Sequence, residues 1–269
     1  MNDAAAIPLH TNKMLAEIDG PIGWMVFNKP ERHNAVSLDM WEAIPEIIDR
    51  FENDPAVRVI VLKGAGSKAF VSGADISQFE DARASREANE QYDRISERAS
   101  RRLADCSKPV IAMIRGWCIG GGVAIALCCD IRISSEGAKF GIPAARLGLG
   151  YGAPGVKKLM DIVGPSFTKE IFFTARHFTA AEAQMMGLLN RVVPDAELED
   201  YVRGYCATIA DNAPLTMRAL KRTVGELVKG PEGDLAASEK LVKACFDTQD
   251  FVEGRRAFME KRRPVFRGV

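Results

Sequence analysis

The sequence predicts an α/β protein with a largely parallel sheet, followed by an all-helical C-terminal region. Three observations carry this expectation. Apolar, β-branched runs alternate with helix-period segments up to about Val193. No strand signal follows Asp195. At the centre of the chain, over 110–130, an apolar run, three glycines and a small-residue segment succeed one another as strand, turn and buried helix. Strands that alternate with helices favour parallel pairing through right-handed crossovers.

Residues 14–18 and 22–27 are short apolar runs joined by Asp19-Gly20-Pro21, a hairpin signal. Asn28 to Ala35 form a polar loop. Ser37 then stands as N-cap of a helix whose Leu38, Trp41, Ile44, Ile48 and Phe51 keep helical spacing, with Pro45 as a point of kinking. Residues 57–62 read as a buried strand, 64–79 as a small-residue loop, and 85–104 as a charged surface helix with a thin apolar face. After the central strand at 110–114 and the helix from 123, short strands are expected at 131–134 and 138–140. Residues 156–163 and 166–173 read as helices parted by Gly164-Pro165. Thr179 with Glu182 forms a capping box, and 188–193 reads as the last strand. Helices are expected over 195–211, 214–229, 234–247 and 250–261. The organisation is thus a body, 1–195, and a helical region, 196–269, that packs on the body or on another subunit.

Lys plus Arg equals Asp plus Glu at 36 each, so no global field favours nucleic acid or a membrane surface. No apolar run reaches the length of a membrane span, and the N-terminal residues lack a secretory pattern. The six cysteines form no CxxC pair, and three lie in or beside the apolar central stretch. They read as small core residues of a reduced, cytoplasmic protein. The three histidines lack ligand spacing, so no metal is expected.

The chemistry-bearing stretch is Gly116 to Asp130. Strand, Gly120-Gly121-Gly122 and helix leave backbone N–H groups unpaired at a helix start, with no side chain to block a ligand. Such a terminus attracts an anion or a developing oxyanion; the same glycines also serve close helix–strand packing, and spacing alone does not separate the two. Gly150 to Gly155 match GxGxxG, but no strand run precedes them and Pro154 lies within. Gly64-Ala65-Gly66-Ser67-Lys68 lacks the ending of a phosphate loop, and no GxSxG supports a serine triad.

Taken together, Asn28-Lys29-Pro30 with Asn34-Ala35, Ala69 to Ile76, Lys108 to Ala112, Gly120 to Gly122 with Cys129-Asp130, and Phe140-Gly141-Ile142-Pro143 with Leu147-Gly148 resemble the enoyl-CoA hydratase/isomerase (crotonase) family. Phe173 to Ala183, Gly187 to Val193, Phe251 to Gly254 and Ala257 to Arg262 continue the likeness, in the family's order and over nearly the whole chain. The resemblance implies a ClpP-like spiral of ββα units with a C-terminal helical trimerisation region, in a homotrimer or a dimer of trimers. It implies an acyl-CoA thioester as substrate, with no further cofactor. The thioester oxygen is then held by the backbone N–H groups of Ala74 and Gly121. Lys29, Arg32, Ala35 and the segment Ser72, Gly73, Asp75, Ile76 are implied to bind CoA. Phe258 and Lys261 are implied to cover adenine and meet phosphate, in some members from a neighbouring subunit. Trp117, Phe79 and Tyr151 are implied acyl-pocket residues.

The departures matter as much. Hydratases of the family carry two glutamates, at positions here occupied by Ala124 and Ala144, and 140–158 contains no acid. Alanine can neither activate water nor protonate carbon, so the two-glutamate hydratase route is not expected. Arg146, Tyr151, Lys157 and Lys158 are the remaining titratable groups. Leu147-Gly148-Leu149-Gly150-Tyr151 is similar to a pattern in the methylmalonyl-CoA decarboxylase branch, where a tyrosine orients the departing carboxylate. Three readings stay open: enolate chemistry of the decarboxylase kind, hydration or isomerisation through a non-glutamate group, and an inactive acyl-CoA-binding homologue.

Overall fold

The computed structural model describes residues 5–75 and 86–269. Ile76 and Phe79 lie outside them. The elements in chain order are β1 (Ala5–Ile7), β2 (Met14–Asp19), β3 (Ile22–Phe27), α1 (Leu38–Asn53), β4 (Val59–Gly64), β5 (Ala69–Val71), α2 (Arg86–Ala104), β6 (Val110–Ile114), β7 (Trp117–Ile119), α3 (Gly121–Ala126), β8 (Ile131–Ser135), β9 (Lys139–Gly141), α4 (Ala153–Thr174), β10 (Phe178–Thr179), α5 (Ala180–Met185), β11 (Arg191–Val193), α6 (Leu198–Ala210), α7 (Pro214–Val228), α8 (Leu235–Cys245) and α9 (Gln249–Glu260). The larger sheet has the order β1-β2-β3-β4-β6-β8-β11, and the smaller β10-β9-β7-β5. β1, β2 and β3 pair antiparallel. Every pairing from β3 through β4, β6 and β8 to β11 is parallel, as the alternation of strands and helices predicts.

The near-continuous apolar strands are explained by two cores, one on each face of the larger sheet. Because side chains alternate along a strand, Met25 and Phe27, Ile60 and Leu62, and Val110, Ala112 and Ile114 enter one core. Their neighbours Ile22, Trp24, Val26, Val59, Val61, Ile111 and Met113 enter the other. The first core is completed by α1, α3 and the smaller sheet. The second is closed by Leu198, Val202 and Cys206, a one-face i, i+4, i+8 row on α6. The first helix of the C-terminal region therefore shares the core of the body, and a boundary at 195/196 divides one packing unit. Lys221 on α7 adds a polar tie: its ammonium donates to Asp130 Oδ2 (2.7 Å) and to the Lys108 carbonyl (2.9 Å).

Several local expectations are sharpened. Ser37 occupies the N-cap of α1, but its hydroxyl donates to Asp39 Oδ1 (2.5 Å) and does not accept from the helix. Pro45 does not split α1, whose Met40, Ala43, Ile44, Ile47, Ile48 and Phe51 are all buried and hold the helix to the sheet. Gly164 does break α4, at φ 76° and ψ 168°. The Thr179–Glu182 capping box is present in full. β5, β7 and β10 are absent from the sequence reading because two or three residues carry no periodicity. α2 lies against α1: Ala99 and Leu103 are buried, the Trp41 indole N–H donates to the Tyr92 hydroxyl (2.9 Å), and Arg102 meets Asp49 and Glu52. Among the described residues no helix is long and apolar enough to cross a membrane.

Leu198→Ala tests the shared core. It should lower unfolding free energy by about 2–5 kcal/mol, the range for a fully buried leucine, read from the urea midpoint. A shift below about 0.5 kcal/mol, the surface range, would show that α6 is peripheral.

Candidate active site

The polar loop after β3 is organised by Asn34, which is wholly buried. Its Oδ1 accepts from the Lys29 backbone N–H (2.9 Å), and its Nδ2 donates to the carbonyls of Ala65 (3.0 Å) and Ala69 (2.8 Å). His33 and Asn34 both adopt left-handed backbone, φ 51° and 57°, which turns the loop back onto β5. There the Ser72 N–H donates to the His33 carbonyl (3.1 Å). Sequence reasoning placed Asn34 in a motif but gave it no role. Its buried amide, with every partner a backbone group, makes it the fastener of this corner.

The fastening fixes the direction of one N–H. Val36 and Ala74 form a parallel bridge, in which the Val36 N–H donates to the Gly73 carbonyl (2.8 Å) and the Asp75 N–H to the Val36 carbonyl (3.0 Å). Successive peptide groups of a strand point to opposite sides, so the Ala74 N–H points away from Val36, toward α3. The N-terminus of α3 meets it. The Gly120 N–H is taken by the Gly141 carbonyl (2.8 Å), whereas Gly121 is the first residue of the helix and has no intrahelical acceptor. A Cβ on Gly121 would lie 3.7 Å from the Ala74 nitrogen. Among the described residues, neither N–H has an acceptor. The other end of α3 is held by Arg132, a buried cation that donates to the carbonyls of Cys129 (2.8 Å) and Leu188 (2.7 Å). Burial pulls its pKa below the ordinary arginine value, and the carbonyls at the helix end provide the compensating dipole.

Both N–H groups open on a cleft of about 1370 Å³. Ser72, Gly73 and Ala74 form one wall and Gly120, Gly121 and Ala124 another; Ala144 and Tyr151 also line it. The Tyr151 ring stacks edge-on against Phe172, with centroids 4.9 Å apart. Lys157 and Lys158 line the cleft too, whereas Arg146 and Trp117 do not; Trp117 packs on His177 instead. Two acids missed from sequence reach the cleft from α2: Asp93 and Glu97, one turn apart. No motif marks them, because only the packing of α2 on α1 turns that face inward.

Of the residues implied to bind CoA, Ser72 and Gly73 are on the cleft wall. Lys29 and Asp75 stand behind it, bound to each other at 2.5 Å with both side chains largely buried. Asp75 is thus a partner for Lys29 and is not itself turned to the cleft. Arg32 is exposed at the turn, Ala35 is buried beside it, and Ile76 lies outside the described residues. Phe258 and Lys261 are not brought to the cleft within one chain. Phe258 is 83% exposed, and Lys261 caps α9 in left-handed conformation. The buried cysteines are poor nucleophiles: burial pushes the thiols of Cys106 and Cys206 up to about 12, and those of Cys118 and Cys129 upward as well. Cys106, Cys128 and Cys129 all line the cleft, and Cys128 differs in that its sulfur lies 3.2 Å from the Lys158 ammonium.

A spiral of this topology, with two unpaired amides converging on a deep cleft, defines a class, and comparison with known proteins gives the family. A family model for enoyl-CoA hydratase/isomerase matches residues 17–269. The chain belongs to the enoyl-CoA hydratase/isomerase family and has the crotonase fold; it is a member of a family of acyl-CoA-processing enzymes. It is 34% identical over 259 residues to a short-chain-enoyl-CoA hydratase of Clostridium acetobutylicum, covering 95% of this chain and 97% of the relative. A solved enoyl-CoA hydratase/carnithine racemase from Magnetospirillum magneticum superposes with a TM-score of 0.92 at 35% identity, covering 96% and 97%. An enoyl-CoA hydratase/isomerase family protein from Hyphomonas neptunium gives 0.90 at 39% identity, covering 94% and 97%.

Asn34→Ala should cost about 2–4 kcal/mol, since it leaves one buried N–H and two carbonyls with fewer partners. Chemical denaturation reads this; an unchanged midpoint would remove Asn34 as the fastener.

Proposed function

We propose that the protein transforms an acyl-CoA thioester through an enolate whose oxygen is held by the N–H groups of Ala74 and Gly121, and that it does so as a decarboxylase-like lyase using Tyr151. The observation that carries the reading is the convergence of these two acceptor-free amides on one cleft wall. Donors fixed in place before the reaction stabilise developing oxyanion charge without reorganisation. The bound CoA thioester is the substrate, and no other cofactor enters the reading.

In this reading the substrate carries a carboxylate on its α-carbon. The bond between them breaks, CO₂ leaves, and the electron pair passes into the thioester to give the enolate. The Tyr151 hydroxyl donates to the departing carboxylate and orients it, and water delivers a proton to the α-carbon. Neither Ala124 nor Ala144, which line the same cleft, can move a proton, and this chemistry needs no strong base there. Ser72 and Gly73 border the CoA, with the Lys29–Asp75 pair and Arg32 behind them. Exposed Leu220, Val224, Leu227, Val242, Phe246 and Met259 on the C-terminal helices support a homotrimer or dimer of trimers, in which Phe258 and Lys261 serve a neighbour's CoA.

A second reading is favoured by Asp93 and Glu97: a hydratase or isomerase whose carboxylates come from α2. A panel of malonyl-type, enoyl and 3-hydroxyacyl thioesters of CoA decides between them. The expected result is CO₂ release from the malonyl type, with kcat lowered on the order of tenfold or more in Tyr151→Phe and unchanged in Glu97→Gln. Hydration or isomerisation that Glu97→Gln abolishes would give the second reading. Binding without turnover of any member would leave an acyl-CoA-binding homologue. Gly121→Pro should lower turnover on the order of 10²–10³-fold, the typical loss for one oxyanion donor; a folded variant with full activity would remove Gly121 from the site.

A further inference from the structure

We infer that the cleft accepts an acyl group bearing an anionic far end, and that Lys158 is the residue that reads it. The inference rests on the placement of the thioester at Ala74 and Gly121 but on neither version of the reaction.

Gly121, Ala124 and Cys128 are spaced i, i+3, i+7 and all line the cleft, so they form one stripe along α3 and its last turn. The turn is continued past Ala126 by the Leu127 N–H to the Val123 carbonyl (2.9 Å) and the Cys128 N–H to the Ile125 carbonyl (3.0 Å). The stripe is the floor along which an acyl chain runs from the two amides. At its end stands Lys158 of α4. Its ammonium has one partner among the described residues, the Cys128 sulfur at 3.2 Å. That thiol is itself placed to donate to the Ala124 carbonyl (3.3 Å). An ammonium offers three donors, and sulfur is a weak acceptor. At least two N–H groups of a half-buried cation are therefore open to the cleft.

The neighbouring charges are already matched. Lys157 is paired with Asp161 (2.6 Å), Lys221 with Asp130 (2.7 Å), and Arg222 with Glu226 (2.7 Å). No described carboxylate lies within salt-bridge distance of Lys158; Asp93 and Glu97 line the cleft from α2 but form no ion pair with Lys158. Lys229 is paired with Glu226 (2.8 Å), and Arg101, Arg218 and Lys240 also border the cleft but are exposed and remain hydrated. Lys158 alone combines partial burial, an open donor set and a position on the acyl path. Water satisfies it in the open cleft. A bound chain displaces that water, and an apolar chain then leaves a desolvated cation, which is unfavourable. A carboxylate at the chain's end restores the lost interaction as a charge-assisted hydrogen bond.

The geometry sets the length. Seven residues at 1.5 Å rise separate Gly121 from Cys128 by about 10 Å. An extended chain advances about 1.2 Å per bond, so the distance corresponds to a dicarboxylic acyl group of about six to eight carbons, thioesterified at one end.

Binding of two probe pairs and one reference thioester, measured by calorimetry, tests this: 7-carboxyheptanoyl-CoA against octanoyl-CoA, succinyl-CoA against butyryl-CoA, and acetyl-CoA alone. The wild type should favour 7-carboxyheptanoyl-CoA over octanoyl-CoA by tenfold or more. The preference should fall to about one in Lys158→Met and persist in Lys158→Arg, and succinyl-CoA, too short to reach, should show no preference that Lys158→Met alters. Equal affinity for the eight-carbon pair, a preference that survives Lys158→Met, or an equal gain for succinyl-CoA would overturn the inference while leaving the acyl-CoA reading in place. Failure of all five thioesters, acetyl-CoA included, to bind the wild type would overturn that reading and the inference with it.

Discussion

Gly122 packs so closely on β5 that a Cβ there would fall 2.1 Å from the Val71 carbonyl oxygen. No side chain fits in that space, and the substitution would drive α3 away from the strand. This contact between two backbones sets the distance from the helix start to the 72–75 segment, and with it the spacing of the Ala74 and Gly121 amides. Gly116 makes a comparable approach, its absent Cβ lying 2.0 Å from the Lys68 carbonyl oxygen at a φ of +66°. The two glycines let β7 and α3 dock on β5 without an intervening layer of side chains. Arg132 at one end of α3 and the Gly120–Gly141 hydrogen bond at the other hold the helix against that surface.

The larger sheet supplies the rigidity behind this contact. Its strands are apolar on both faces because each face has its own core. α6 closes one of them, and Lys221 of α7 reaches Asp130 and Lys108 at the edge of β6. Asp130 in turn accepts from the Val110 N–H (2.7 Å). The turn that ends the α3 region, the start of β6 and the C-terminal helices are thereby joined through one carboxylate. That arrangement lets α7 contribute to a cleft whose reactive end lies on the body.

Within the cleft, polar groups are distributed unevenly. The reactive end is lined by backbone amides, alanines and one tyrosine, and the carboxylates and lysines stand farther along α2, α4 and α7. In the proposed reaction, a site of this composition would stabilise charge on an oxygen by dipoles and leave proton movement to water or to groups that approach from α2. The buried, mutually paired Lys29 and Asp75 behind the wall are a scaffold for the same segment that presents Ala74, since they tie the Asn34 loop to residue 75 across the bridge at Val36.

The strand–helix alternation, the hairpin at Gly20, the break at Gly164 and the four C-terminal helices were legible in the sequence, because each follows from local periodicity or from turn chemistry. So was the glycine run of α3, and the resemblance to a family named Ala74 as its partner. The shortest strands were not legible: β5, β7 and β10 owe their extended form to pairing partners distant in the chain. Nor was the role of Asn34, whose three bonds all go to backbone groups brought near by folding. The sequence by itself determined the longer strands, the helices and the turns between them, and that no acid lies between residues 140 and 158. Only the tertiary structure decided that α6 belongs to the core, that Asp93 and Glu97 turn toward the cleft, and that Lys158 meets Cys128 and no carboxylate. Those outcomes depend on packing between elements tens of residues apart, and no local pattern encodes that packing.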